Sequence, residues 1–172
     1  MISKIRQMEN VTAVGYGLEE IALVRYGDQQ AVATVKGVSP EIIAMSGIDT
    51  LMCEGELVLE GAGNQFAVMG YGISYHLSFF ANGIHSEPMS VYVPKPGAVN
   101  SLDPGKSFNK QDITPVGVFC IGPDFDNKYV LVPYRFMENL LKKDDIASSI
   151  EIAVKEGEDA FDVRDEVQAL LG

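Results

Sequence analysis

Apolar residues recur along this chain at two spacings, and the switches between them lay out its elements. Ile2, Ile5 and Met8 stand at helical spacing and predict a short amphipathic opening helix that ends near Asn10. From Val11 to Val38 the texture becomes β. Two strands, 12–26 and 30–37, flank Gly27-Asp28, which supplies the positive-φ tolerance of a hairpin turn. Ser39-Pro40-Glu41 then reads as a helix start, with a hydroxyl at the N-cap, proline at the first helical position and an acid at the positive end of the dipole. Gly47 closes that helix.

The middle of the chain is strand-rich, with 56–59 and 66–69 as the first candidates. Gly70-Tyr71-Gly72 turns into a helix carrying Ile73, Leu77 and Phe80, which Asn82-Gly83 terminates. Further strands are predicted at 89–93, 114–121 and 129–132. Pro133 starts a helix with Tyr134, Met137, Leu140 and Leu141 on one face and Lys142-Lys143 at its negative end. A strand at 149–154 precedes a closing helix from Asp159, striped by Ala160, Val163, Val167, Leu170 and Leu171. That stripe must lie on a sheet, and the N-terminal hairpin is the sheet left to receive it. The fold class is therefore α+β in two lobes: an α/β lobe from 1–50 and 146–172, and an inserted strand-rich lobe with two helices from 51–145. The irregular stretch is 94–112.

Composition narrows what such a domain does. Formal charge is −11, with 5 basic and 10 acidic residues in the first hundred and 8 and 14 in the remainder. No basic stripe exists to displace counterions from phosphates, which disfavours nucleic acid and anionic lipid as partners. Neither an apolar run of about 18 residues nor a secretory signal pattern is visible. Cys53 and Cys120 lie in apolar contexts too far apart for a metal knuckle, so buried free thiols are expected, with a disulfide as the alternative.

Candidate chemistry does not assemble. Ala13-Val14-Gly15-Tyr16-Gly17 resembles a potassium-filter signature but reads as a glycine-relieved strand. Gly70-Tyr71-Gly72 has Tyr75 where a dinucleotide fingerprint needs its third glycine. Asp124-Phe125-Asp126-Asn127 spaces carboxylates as calcium loops do, yet Lys128 and Tyr129 follow where oxygen ligands and glycine belong, so a solvated turn is expected. His76 and His85 have no third ligand, and paired acids such as Glu54 and Glu56 or Asp144 and Asp145 read as solvated charges. Ser74 is the best nucleophile, but His76 two residues on points elsewhere on a helix and is no base for it. No catalytic residue, cofactor or metal site is predicted, and the chain is read as a non-enzyme.

One ordered set of segments carries a resemblance: 5–14, Val35-Lys36-Gly37-Val38, Gly55-Glu56-Leu57-Val58-Leu59, Val68-Met69-Gly70-Tyr71-Gly72, Val91-Tyr92-Val93-Pro94, Pro115-Val116-Gly117-Val118-Phe119, Leu131-Val132-Pro133, Ile150-Glu151-Ile152 and 167–172. The order resembles the MacB-like periplasmic core domain of FtsX-type ABC transporter permeases, and looks most like the lipoprotein-releasing permeases. The resemblance implies a two-lobed domain on the periplasmic face of the bacterial inner membrane, its lobe from both chain ends porter-like, set between transmembrane helices that would flank Ile2 and Gly172. It implies as partners those transmembrane segments, a cytoplasmic ATPase subunit or domain, a second permease copy or paralogue, and a periplasmic carrier protein. The work implied is coupling of ATP-driven movement to export or release of a lipoprotein, peptide or small molecule. The stretch 95–112 is the expected partner contact, with Leu102 and Phe108 as anchors and Lys95, Lys106 and Lys110 as a basic rim. The alternative is a free-standing extracellular ligand-binding or adhesion module.

Overall fold

A computed structural model describes residues 2–81, 87–97 and 104–172. Its strands are β1 (Val11–Tyr26), β2 (Gln29–Val38), β3 (Met52–Gly55), β4 (Glu60–Gly61), β5 (Asn64–Gly70), β6 (Met89–Pro94), β7 (Phe108–Phe119), β8 (Tyr129–Pro133) and β9 (Ser149–Val154). The helices are α1 (Ile2–Ile5), α2 (Pro40–Ser46), α3 (Tyr71–Leu77), α4 (Pro123–Asp126), α5 (Tyr134–Leu141) and α6 (Ala160–Leu171), with short 3-10 turns at Ile48–Leu51 and Pro104–Ser107. The fold is mixed α and β, strand-rich, as the periodicities predict.

Alternation of apolar residues in β1 and β2 gives the hairpin one buried face, and Gly27 at φ 56° makes its turn. The register runs from Gly17 opposite Val38 to Tyr26 opposite Gln29. From this hairpin the pairings close a ring. β2 lies parallel to β8, β8 antiparallel to β5, β5 parallel to β7, β7 antiparallel to β6, and β6 antiparallel to the far end of β1. Side chains of one parity fill the ring: Val24, Val35, Met69, Val91 and Val132 are among them, plugged by Phe136, Met137 and Leu140 of α5 and by Ile73, Leu77 and Phe79. Each such burial is worth about 1.5–3 kcal/mol against leaving the side chain in water.

The opposite parity forms a second core outside the ring. Val38, Val68, Phe119 and Leu131 meet Ile42 of α2 and the half-buried Leu57 and Leu59. Gly15 of β1 sits directly beneath Ile42, where a Cβ would collide with its backbone and side chain, so the glycine lets α2 approach. The third core joins the chain ends. β9 pairs antiparallel with the first half of β1, from Val11 opposite Val154 to Gly17 opposite Ser149. α1 and α6 cover this pair, burying Ile5, Val11, Val14, Val163 and Val167. The far half of the same hairpin belongs to the ring, so main-chain hydrogen bonding crosses residues 50 and 146 without a break.

Several expectations change. Residues 56–59 form no strand; β3 ends at Gly55, whose φ of 66° turns the chain away, and Leu57 and Leu59 pack from an irregular segment. Residues 108–112 are not loop but the first part of β7, paired to β6 from Phe108 opposite Pro94 onward. Their polar alternation reflects a ribbon exposed on one face. α3 stops at Ser78, which adopts φ 53°, so Phe79 turns into the core while Phe80 is exposed; Asn82 and Gly83 lie outside the described residues. The Ser39 hydroxyl makes no cap bond and instead accepts the Tyr16 backbone N–H at 3.1 Å, fastening α2 to β1. The 124–127 turn contains the one-turn helix α4, with Asp126 accepting the Ile121 N–H at 2.9 Å.

The cysteines are the largest correction. Cys53 and Cys120 are not buried thiols; both are exposed and joined in a disulfide, with Cα atoms 5.8 Å apart. The antiparallel pairing of Met52 with Phe119 brings them together at a register shift, 67 residues apart in sequence. It fastens the edge strand β3 to the end of β7.

Candidate functional site

Two features stand out, one where the ring meets the chain ends and one on the far side of the ring. The first is a groove of about 1160 Å³ between α1, α2, the 57–60 segment and the start of α5. Apolar Ile2, Val38, Ile43, Leu57 and Leu59 line it together with charged Arg6, Glu60, Arg135 and Glu138. Arg6, in the turn after α1, meets Glu41 of α2, Nη2 to Oε1 at 2.6 Å. Burial alone would raise the Glu41 carboxyl, but its own backbone N–H, the Ser39 hydroxyl and Arg6 together hold it below its usual value.

Tyr134, first residue of α5, ties this seam together. Its ring meets the edge of Tyr16 with centroids 4.6 Å apart, and its hydroxyl donates to the Ile146 carbonyl. Loss of solvent, then the negative charge of Glu138 nearby, push the Tyr134 hydroxyl up to about 12. Glu138 also accepts the Asp145 N–H at 3.2 Å. The seam is further braced by Lys36 of β2, whose Nζ lies 2.7 Å from Glu151 of β9. Periodicity places Tyr134 on an apolar helix face; the partner of its hydroxyl comes from a distant segment and has no local signal.

The second feature is the β6–β7 hairpin. Phe108 and Lys110 share one face of β7 by strand alternation, and Phe108 is 41% exposed. Lys110 lies over the Tyr92 ring, 5.8 Å from its centroid, and 3.5 Å from Asp112, which also takes the Ser90 hydroxyl at 2.6 Å. The Lys95 N–H donates to the Ser107 carbonyl at 2.8 Å, and Lys106 sits in the adjoining 3-10 turn. Four of the five residues predicted for partner contact thus belong to one ribbon end. Leu102 lies outside the described residues.

Residues weighed for chemistry hold structural posts. The Ser74 hydroxyl is buried and donates to the Phe79 carbonyl at 2.8 Å, closing the end of α3. His76 is exposed beside Tyr75, and His85 falls outside the described residues. Gly70 and Gly72 admit the backbone and side chain of Asp126 and Asn127, so they serve close packing where a fingerprint would serve a phosphate. Glu54 accepts the Ala81 N–H at 3.0 Å.

No family model matches the sequence, and no curated protein matches it. Solved structures do. The extracellular domain of the noncanonic ABC-type transporter YknZ from Gram-positive bacteria matches with a TM-score of 0.65 at 13% identity, over 95% of this chain and 74% of that one. The periplasmic region of MacB from Actinobacillus actinomycetemcomitans gives 0.67 at 14% identity, over 99% and 70%. A domain described as coming from a permease protein of Porphyromonas gingivalis gives 0.57 at 12%, over 97% and 67%. The chain has the fold of the MacB-like extracytoplasmic domains of ABC transporter permeases, and at these identities the likeness is one of fold.

Proposed function

We propose that this chain is the extracytoplasmic domain of an ABC transporter permease, standing on the periplasmic face of a bacterial inner membrane. The observation that carries the reading is a fold shared over 95% and 99% of the chain with the YknZ and MacB domains. The disulfide supports it, because such bonds persist in oxidising compartments outside the cytosol. Two lobes do the work: a porter-like lobe built on the chain-end core, and the ring with its covering helices. β1 runs through both, and the groove lies at their seam. ATP-driven movement of the membrane segments shifts one lobe against the other and so gates or releases a lipoprotein, peptide or small molecule, a two-state coupling without bond chemistry in this domain. The partners are the permease's own membrane segments, a cytoplasmic ATPase, a second permease copy or paralogue, and a periplasmic carrier that meets the β6–β7 hairpin through Phe108 and its lysines.

The test starts with the natural reading frame, which should encode apolar segments of about 20 residues on both sides of this domain. A frame without them sinks the proposal and leaves the free-standing binding module. In the full permease, Phe108→Ala should leave the melting temperature nearly unchanged and reduce transport several-fold, because an exposed ribbon side chain contributes little to stability. A large fall in melting temperature with transport intact would make Phe108 a packing residue.

A further inference from the structure

The chain-end region is a sheet left incomplete under its helix. Among the described residues β9 pairs with β1 alone, so its other edge presents unpaired backbone N–H and C=O groups. All six of its residues are only partly buried, including Ile150, Ile152 and Val154 on the face toward α6. Between that face and α6 runs an open groove of about 660 Å³, walled by the same three residues and by Ala160, Arg164 and Gln168. α6 shares its core with both strands, Val163 and Val167 packing with Val11 and Val14 of β1 and with Ile150, Ile152 and Val154 of β9. A third strand would sit about 4.8 Å beside β9 and place every second side chain in the groove.

Charge selects the occupant. From Glu151 to Gly172 the chain has seven acids against two bases, Lys155 and Arg164, and Arg164 is already engaged with Asp165 at 2.7 Å. A second copy pairing through β9 would bring two such acidic patches together. We infer that the free edge of β9 is a strand-addition site for an extended segment of a partner protein in which apolar residues alternate with lysine or arginine. Main-chain bonds to β9 supply affinity, the apolar residues enter the groove, and the basic ones face the acidic rim. This does not depend on the permease reading.

The experiment uses the 172-residue chain and an eight-residue peptide alternating lysine with valine. At saturating peptide, hydrogen exchange of the amides in 150–154 should slow about tenfold or more, with an effect that weakens as salt rises. A peptide with glutamate in place of lysine, and one with the two central valines changed to proline, should give no such protection. Ala160→Trp, at an exposed position, should fill the groove and abolish the effect while keeping the melting temperature. Equal protection by the proline peptide would reduce the effect to charge adsorption and overturn the proposal. Protection that rises with protein concentration without peptide, accompanied by dimer sedimentation, would assign the edge to a second copy and overturn it as well.

Discussion

The ring and the chain-end region share β1 yet are held by different means. The ring closes on itself, so within it β1, β2, β5, β6, β7 and β8 each have strands on both sides, and among the described residues twenty buried side chains form its connected interior. The chain-end region rests on two strands, two helices and, among the described residues, five buried side chains. Closure removes edges and concentrates burial, whereas the open pair leaves both unfinished. Stability in one region and adaptability in the other follow from that difference, and the low-stability end of a structure is where moving and binding parts are found.

The largest effect should come from emptying the ring. Phe136 is completely buried at its mouth, so Phe136→Ala should cost about 3–5 kcal/mol and lower the denaturant midpoint of the whole domain. If it melted the ring while the chain ends kept their exchange protection, the two regions would be thermodynamically separate. Removing the disulfide with Cys53→Ser and Cys120→Ser should cost somewhat less, about 2–4 kcal/mol, because the bond closes a long loop in the unfolded chain. The loss should be confined to the ring and its outer core. Unchanged melting of reduced and oxidised protein would show that the β3 pairing alone holds that edge.

Val167→Asp probes the other side. Val167 is buried in the same core as Val14, and an unpaired carboxylate there costs several kcal/mol. The small region can lose no more than its own local stability, so exchange should rise in 11–17, 149–154 and α6 while 18–26 and β2 stay protected. Loss of protection throughout the hairpin would mean that β1 transmits the damage and the comparison fails.

The sequence pattern made most strands and helices legible because they are local: period-two runs, Gly27 at the hairpin turn, Pro40 and Pro133 at helix starts, the Val163 and Val167 stripe. Ring closure was not legible. It depends on β2 lying parallel to β8 and β5 parallel to β7, pairings between distant segments that leave no local trace. The disulfide stood only as the alternative to free thiols for the same reason, since only the β3–β7 register brings Cys53 to Cys120. Residues 108–112 looked like loop because Asn109, Lys110, Gln111 and Asp112 dilute the alternation, although they pair residue by residue with β6. Of the proposed contact site, the position of Phe108 and the lysines along the chain was readable, and their presentation on a ribbon was not. The seam groove had no sequence signature, being assembled from six separated segments.

The smallest expected effect lies at the seam itself. Tyr134 links α5 of the ring to the chain-end side through Tyr16 and the Ile146 carbonyl, so Tyr134→Phe keeps the ring contact and deletes one hydrogen bond, worth about 0.5–1.5 kcal/mol. A pH signature separates this from a packing defect. With its hydroxyl pushed up to about 12 from an ordinary value of 10.0, the folded chain keeps a proton that the unfolded chain releases between those values. The unfolded state then binds fewer protons, so stability falls as pH rises through that window, while below it both states are protonated and the residue adds no slope. Tyr134→Phe should therefore lower the denaturant midpoint slightly at neutral pH and flatten the alkaline decline. An equally steep decline in the variant would place the titrating group elsewhere and leave the seam held by packing and the Lys36–Glu151 and Arg6–Glu41 pairs.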